Sequence, residues 1–227
     1  MISGETRLVG LIGNPVAASL SPRMQNAAFA ARGLDWTYVP LPTEPHELED
    51  ALRGLLALGF AGANVTAPYK LEVARLVGAV QPSVNTLVVR EGQIEAHSTD
   101  AAVVERWKAE RPVVLGSGGA ATAFLEALPG ARQFSRRGEW PPDVVEADLV
   151  VNATSERDAV LVELGPGQTL VDLPYPETAT ARAANVRGAD VISGLDALVA
   201  QGAASFELWT GFPAPVEVMR RALGLVA

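Results

Sequence analysis

Apolar and polar positions along the chain fall into short runs with a two-residue period and longer runs with a three-to-four-residue period, the marks of strands and amphipathic helices. Arg7 to Ile12 reads as a strand, Pro22 to Arg32 as a helix ended by Gly33, and Trp36 to Leu41 as a strand. Thr43 is placed to cap the next helix, in which Leu48, Ala51, Leu52, Leu55 and Leu58 form one apolar stripe that stops at Gly59. Gly62 to Thr66 is the third strand, with a short helix from Leu71 to Val77 after it. Val84 to Arg90 and Gln93 to Ala96 predict a hairpin turning at Glu91-Gly92, and Ala101 to Ala109 predicts a helix with Asp100 as its N-cap. Strand and helix alternating in this way predict a mainly parallel sheet with a helical covering.

Around Val113 the pattern changes. Val113 to Leu115 is a short buried strand, followed at once by Gly116-Ser117-Gly118-Gly119-Ala120-Ala121 and an apolar helix to Leu128. Leu149 to Asn152, Leu170 to Leu173 and Ala189 to Ile192 read as further strands, with a helix over Thr178 to Arg187. After Gly194, the residues Leu195, Leu198, Val199, Gly202, Phe206 and Trp209 make a helical stripe that leaves Gln201 on another face, and Pro215 to Leu225 is the last helix.

Composition narrows the possible partners. A chain of 227 residues with formal charge −8 lacks the concentration of Lys and Arg that a nucleic acid or an anionic membrane needs, so an anionic ligand must be held by local cations or amides. The chain has no cysteine and two histidines, His46 and His97, both of which read as surface residues. That excludes disulfides and thiolate zinc sites, and no metal site is expected. The first residues lack the basic-then-apolar pattern of a signal peptide, and no apolar run approaches the roughly 18 residues of a membrane span. A cytoplasmic protein with a small-molecule substrate is expected, as monomer or homodimer.

Candidate chemistry concentrates in a few stretches. In Gly62-Ala-Asn-Val-Thr-Ala-Pro-Tyr-Lys70, strand alternation puts Asn64 and Thr66 on one face and Val65 on the other, and Pro68 ends the strand so that Lys70 starts the next element near its carboxyl end. Taken alone, this stretch reads equally as an edge strand with a solvated lysine or as part of a site. In the loop before Pro22, Ser21 is placed as an N-cap; capping leaves Ser19 unexplained, whereas a ligand carboxylate would use both hydroxyls. The turn at Gly116 to Ala121 lies in dinucleotide-binding context, strand before and helix after, with Ala121 at the last glycine. Gly116 permits the tight turn and Gly118 lets backbone approach a pyrophosphate. Ser135-Arg136-Arg137 stands at the end of the next strand, where an NAD binder carries Asp or Glu. Two guanidinium groups suit a 2′-phosphate, so NADP is the expected cofactor.

Taken together these motifs resemble those of the shikimate dehydrogenase family, which interconverts shikimate and 3-dehydroshikimate with NADP. They occur in the family's order over nearly the whole length: S-L-S-P at Ser19 to Pro22, N-V-T-x-P-x-K at Asn64 to Lys70, V-N-T at Val84 to Thr86, T-D at Thr99-Asp100, G-x-G-G-A at Gly116 to Ala120, V-N-A-T at Val151 to Thr154, and Q-G-A-x-x-F-E-L-W-T-G at Gln201 to Gly211. The resemblance implies an α/β protein of two lobes. The first is a substrate domain over residues 1–100 and 203–227, to which the C-terminal helices return, and the second is a Rossmann-like NADP-binding domain over 101–202. It implies Lys70 and Asp100 as the catalytic pair, Ser19 and Ser21 on the substrate carboxylate, and Asn64, Thr66, Asn85 and Gln201 on ring hydroxyls or in support of the pair. Tyr175 is implied near substrate and nicotinamide. Gly116, Ser117, Gly118, Gly119, Ala120, Ser135, Arg136, Arg137, Asn152, Thr154 and Gly194 are implied on the cofactor.

Departures from the family pattern are also legible. Lys70 and Asn85 are fifteen positions apart, short for the family, and the run from Gly138 to Asp148 is close to the roughly 10 to 12 residues a crossover needs. The second shortening thins the adenine side and predicts weaker NADP binding than in longer relatives. Ala197 stands at the methionine of the family's G-x-x-M-L-V-x-Q, and H-S-T-D replaces N-T-D. Two other readings stay open: action on quinate as well as shikimate, and a sensor that binds NADP or shikimate without turnover. The retained Lys70 and Asp100 argue against the sensor.

Overall fold

The computed structural model describes residues 2–105 and 107–225. The chain forms two compact units, Met1–Thr99 with Val199–Ala227, and Asp100–Leu198.

The first unit contains β1 (Arg7–Gly13), α1 (Ser21–Ala31), β2 (Trp36–Pro42), α2 (Leu48–Ala57), β3 (Gly62–Val65), α3 (Lys70–Leu76), β4 (Thr86–Arg90) and β5 (Gln93–His97). To these are added the later part of α6 (Gly194–Thr210) and α7 (Val216–Ala222), which packs on α1. The sheet order is β2-β1-β3-β4-β5. β1 pairs in parallel with β2 and β3, whereas β4 is antiparallel to both its neighbours, β3 and β5, so the sheet is mixed where the alternation predicts it mainly parallel. The β4–β5 pair is a hairpin: Glu91 and Gly92, at φ 51° and 74°, form a two-residue reversal with no crossover helix.

β3 is the middle strand of this sheet and all four of its residues are buried, which rules out the edge-strand reading. Its alternation is realised as expected. Ala63 and Val65 pack with Leu52, Leu55 and Val73 under α2 and α3, while Asn64 turns to the opposite face. That second face is closed by stacked Phe29 and Phe206, centroids 5.4 Å apart, and by Trp209, whose indole N–H donates to the Leu87 carbonyl at 2.9 Å. A Cβ at Gly62 would lie 2.2 Å from the Leu87 oxygen, so this close approach requires glycine.

Two caps differ from expectation. Ser21 is the first residue of α1 and makes no cap bond; its amide instead donates to Ser19 Oγ at 3.3 Å, so the serine that capping left unexplained is the one that serves the helix start. Thr43 bonds back to the Leu41 carbonyl, and Glu44 and Glu47 form a capping box around the 3-10 turn Pro45–Glu47 that leads into α2.

The second unit contains β6 (Pro112–Leu115), α4 (Gly119–Ala127), β7 (Arg132–Phe134), β8 (Leu149–Asn152), β9 (Thr169–Asp172), α5 (Ala179–Arg187), β10 (Asp190–Ile192) and the start of α6. Its sheet, ordered β10-β9-β8-β6-β7, is parallel throughout and covered on both faces: Val113 and Leu115 enter one apolar cluster and Val114 the other. The chain leaves β6 to one side for β7 and crosses to the other for β8, so the strand order reverses at β6 and a crevice opens at its carboxyl end.

The helix predicted over Ala101 to Ala109 is a 3-10 turn, Asp100–Val104, with no helix at Trp107 to Ala109; Arg106 lies outside the described residues. Pro112 disfavours helical backbone at Arg111, and the amides of Glu110 and Arg111 are taken by the Asp148 carboxylate at 2.6 and 2.9 Å, which draws the chain straight towards β6. No helix among the described residues is long and apolar enough to cross a membrane, and no cluster of His, Asp and Glu there could hold a metal ion. His46 is exposed, as expected, and His97 is half-buried.

Candidate active site

In the second unit a groove of about 590 Å³ opens where the strand order reverses. Gly116, Ser117 and Gly118 form one wall, and Ser135, Arg136 and Arg137, directly after β7, form another. Gly116 has φ of 122°, and a Cβ there would sit 2.9 Å from the Ala153 carbonyl oxygen, so the tight turn requires glycine. Gly118 is the N-cap of α4, and a Cβ on it would meet nothing within 4 Å, so the backbone there faces open space. Gly119 and Ala120 make the first turn of α4, which carries no acidic residue. Ala121, at the third glycine position, is fully buried against Val114 and Val151, so a methyl group fits where helix meets strand. A helix N-terminus at the crevice and an arginine pair one strand away fit the pyrophosphate and 2′-phosphate of NADP.

Asn152 is fully buried below this groove and does not line it. Its Nδ2 donates to Asp172 Oδ1 at 2.7 Å, and its Oδ1 accepts from the Thr154 hydroxyl at 2.7 Å and amide at 3.2 Å. Asn152 therefore orients Thr154, which does line the groove. Burial pushes the Asp172 carboxyl above its ordinary value, against hydrogen bonds from Asn152 and Thr178 that favour the charged form. Gly194 opens α6 beside the Leu173 and Pro174 carbonyls, away from the groove lining, and half-buried Tyr175 follows on that segment. Trp140, Glu156 and Arg157 line the groove and carry no motif. A charged stretch directly after V-N-A-T was the available signal for the last two.

In the first unit the polar residues gather at one edge of the sheet, at the carboxyl ends of β1, β3 and β5 and the amino end of β4. Ser19 and Ser21 follow β1; Thr66 and half-buried Lys70 follow β3. Asn64 Nδ2 donates to the Asn85 carbonyl at 2.9 Å and to Thr86 Oγ1 and Ser205 Oγ, each at 3.1 Å, while its Oδ1 accepts from the Tyr38 hydroxyl at 2.9 Å. Asn85 Oδ1 accepts the Thr99 amide at 2.7 Å, and its Nδ2 donates to Thr99 Oγ1 at 2.9 Å and Gln201 Oε1 at 3.2 Å. Ser205 Oγ lies 2.9 Å from the Gln201 carbonyl and shares a 2.8 Å hydrogen bond with the Thr86 hydroxyl, which also lies 3.2 Å from Asn85 Oδ1. The structure thus brings Asn64, Asn85 and Gln201 into one network. Its other members, Tyr38, Thr86, Thr99 and Ser205, went unassigned in the sequence. Asp100 follows directly on Thr99.

A parallel sheet with a glycine turn and arginines at its crevice, joined in one chain to a mixed α/β unit with a lysine and a ring of fixed amides, defines a dinucleotide-dependent dehydrogenase. The shikimate dehydrogenase (NADP(+)) of Anaeromyxobacter dehalogenans strain 2CP-1 is 37% identical, with 98% of each chain covered. The chain belongs to the shikimate dehydrogenase family. The family's substrate binding domain matches residues 11–87, and the shikimate 5′-dehydrogenase C-terminal domain matches residues 194–223. Shikimate dehydrogenase from Aquifex aeolicus superposes with a TM-score of 0.88 at 29% identity, covering 98% of this chain and 99% of that one. The enzyme from Thermus thermophilus in complex with NADP(H) and shikimate gives 0.82 at 28% identity, covering 95% and 98%. The Anaeromyxobacter alignment runs over 271 positions against 227 residues here, so that relative has segments without a counterpart in this chain.

Proposed function

We infer that the protein catalyses the NADP-dependent interconversion of 3-dehydroshikimate and shikimate. In the reducing direction, 3-dehydroshikimate, NADPH and a proton give shikimate and NADP. Identity of 37% over nearly the full length of a shikimate dehydrogenase carries this reading, and the NADP-suited groove supports it. The cofactor, when bound, supplies and accepts the hydride; the chain's own groups bind, orient and handle the proton.

On this reading the first unit takes the substrate. The hydroxyls of Ser19 and Ser21 hold its carboxylate, and Thr66, Gln201 and the amides of Asn64 and Asn85 set the ring's position. A lysine ammonium at Lys70 hydrogen-bonds to the C3 oxygen and draws negative charge onto it, while Asp100 orients the ammonium; the proton of the C3 hydroxyl moves within this pair. Tyr175 serves the nicotinamide side. The second unit takes NADP, with Gly116 to Ala120 on the pyrophosphate, Ser135 to Arg137 on the 2′-phosphate, and Asn152, Thr154 and Gly194 in support. The protein works in the cytoplasm as a monomer or homodimer.

Reduction of NADP by shikimate at alkaline pH, followed at the NADPH absorbance, tests the reading, with quinate as the parallel substrate. Turnover with shikimate is expected; binding of either ligand without turnover would make the protein a sensor. Lys70→Ala is expected to lower the rate by at least about a hundredfold with an unchanged urea unfolding midpoint. An unchanged rate would remove Lys70 from the mechanism.

A further inference from the structure

The groove that fits NADP also contains a carboxylate at the point where NADP carries its distinguishing charge. Glu156, from the loop after β8, reaches across to Arg136: its Oε2 lies 3.2 Å from Arg136 Nη2. The other oxygen, Oε1, accepts the backbone amides of Arg157, Asp158 and Ala159 at 3.2 to 3.3 Å. The amide of Glu156 itself donates to Thr154 Oγ1, which Asn152 holds in turn. This carboxylate is therefore placed by the fold and is not a passing contact of a mobile side chain. The amides of Asp158 and Ala159, together with the Arg136 guanidinium, hold it below the usual carboxylate range, so it is charged at neutral pH.

A 2′-phosphate and a carboxylate compete for the same guanidinium face, and like charges side by side repel. The ribose of NAD presents a 2′-hydroxyl there instead, and a carboxylate is the group that accepts a hydrogen bond from it. The arginine pair and the acid thus favour opposite cofactors within one groove.

We propose that Glu156 is a specificity-determining residue: it occupies Arg136 as a resident stand-in for the 2′-phosphate, so NADP must displace it while NAD hydrogen-bonds to it. The consequence is a narrowed preference for NADP over NAD. The inference rests on the cofactor half of the functional reading and is independent of the substrate.

Glu156→Gln tests it, because the amide oxygen still accepts the loop's backbone amides while the negative charge is gone. Dissociation constants of NADP and NAD are measured by calorimetry on the intact protein without shikimate, for wild type, Glu156→Gln, Arg136→Gln and the double variant. Glu156→Gln is expected to tighten NADP by about two- to fivefold and to leave NAD unchanged or weaker. The gain should vanish in the Arg136→Gln background. Equal changes for both cofactors, no tightening of NADP, or a gain that persists without Arg136 would each overturn the proposal. A protein that shows the shift but does not oxidise shikimate would sink the substrate reading alone, and turnover without the shift would sink this proposal alone.

Discussion

Thr86 shows how much of the first unit rests on single hydroxyl groups. It is fully buried, accepts from Asn64 and shares a hydrogen bond with Ser205, so its loss leaves two buried polar partners short of a bond in a place closed to solvent. Thr86→Val, near in shape, is expected to destabilise the protein by about 1–3 kcal/mol in urea unfolding, with Thr86→Ser recovering most of the loss. An unchanged midpoint would show that the network rearranges without cost. The sequence motifs give roles to Asn64 and Asn85 and none to Thr86, although V-N-T contains it, nor to Ser205 or Tyr38. The bonds from Ser205 to Thr86 and Asn64 join positions 119 and 141 residues apart, and no local period encodes such a pairing. Glu156 was hidden for a related reason. Sequence pattern places the ribose-binding position at the end of β7, whereas the acid beside Arg136 comes from the loop after β8.

At the scale of elements, periodicity located the strands well because each has a face to bury. Asn64 and Val65 divide between the two faces as alternation requires, and Gly116 carries the positive φ that its turn needs. The stretch before β6 escaped because its conformation is set by Asp148, which lies 38 residues beyond Glu110 and outside any local pattern. Burial pushes the Asp148 carboxyl up, but the amides of Glu110 and Arg111 outweigh this and hold it below its ordinary value. For a carboxyl depressed by folding, the stabilisation is complete above the unfolded-state value of about 3.9 and is lost as pH falls through the folded-state value. Asp148→Asn is therefore expected to cost about 1 kcal/mol at pH 7, allowing for solvent screening at this partly exposed site. The gap to wild type should close as urea unfolding is repeated towards pH 3; a constant gap would mean that packing, not charge, makes the difference.

The whole chain passes between the two units twice, after Thr99 and again inside α6 after Leu198. In the sequence the dinucleotide signature sits between the substrate signatures. The return to the first unit falls inside α6, one uninterrupted helix, and no break in its period marks the point. The route sets a timetable for folding. The second unit is one continuous segment whose strands pair along short stretches of chain. The first unit must bring Ser205 to Thr86 and Gly202 to Gln25 across separations of 119 and 177 residues before its amides are fixed. Closing such loops is slow and is not rewarded until the last helices arrive. In refolding followed by pulse-labelled hydrogen exchange, amides of β6, β8 and β9 are expected to gain protection before those of β3 and β4, and the reverse order would refute this. On a ribosome the cofactor groove would be finished while the substrate residues Asn64 and Asn85, made long before it, still waited for Ser205 and Gln201.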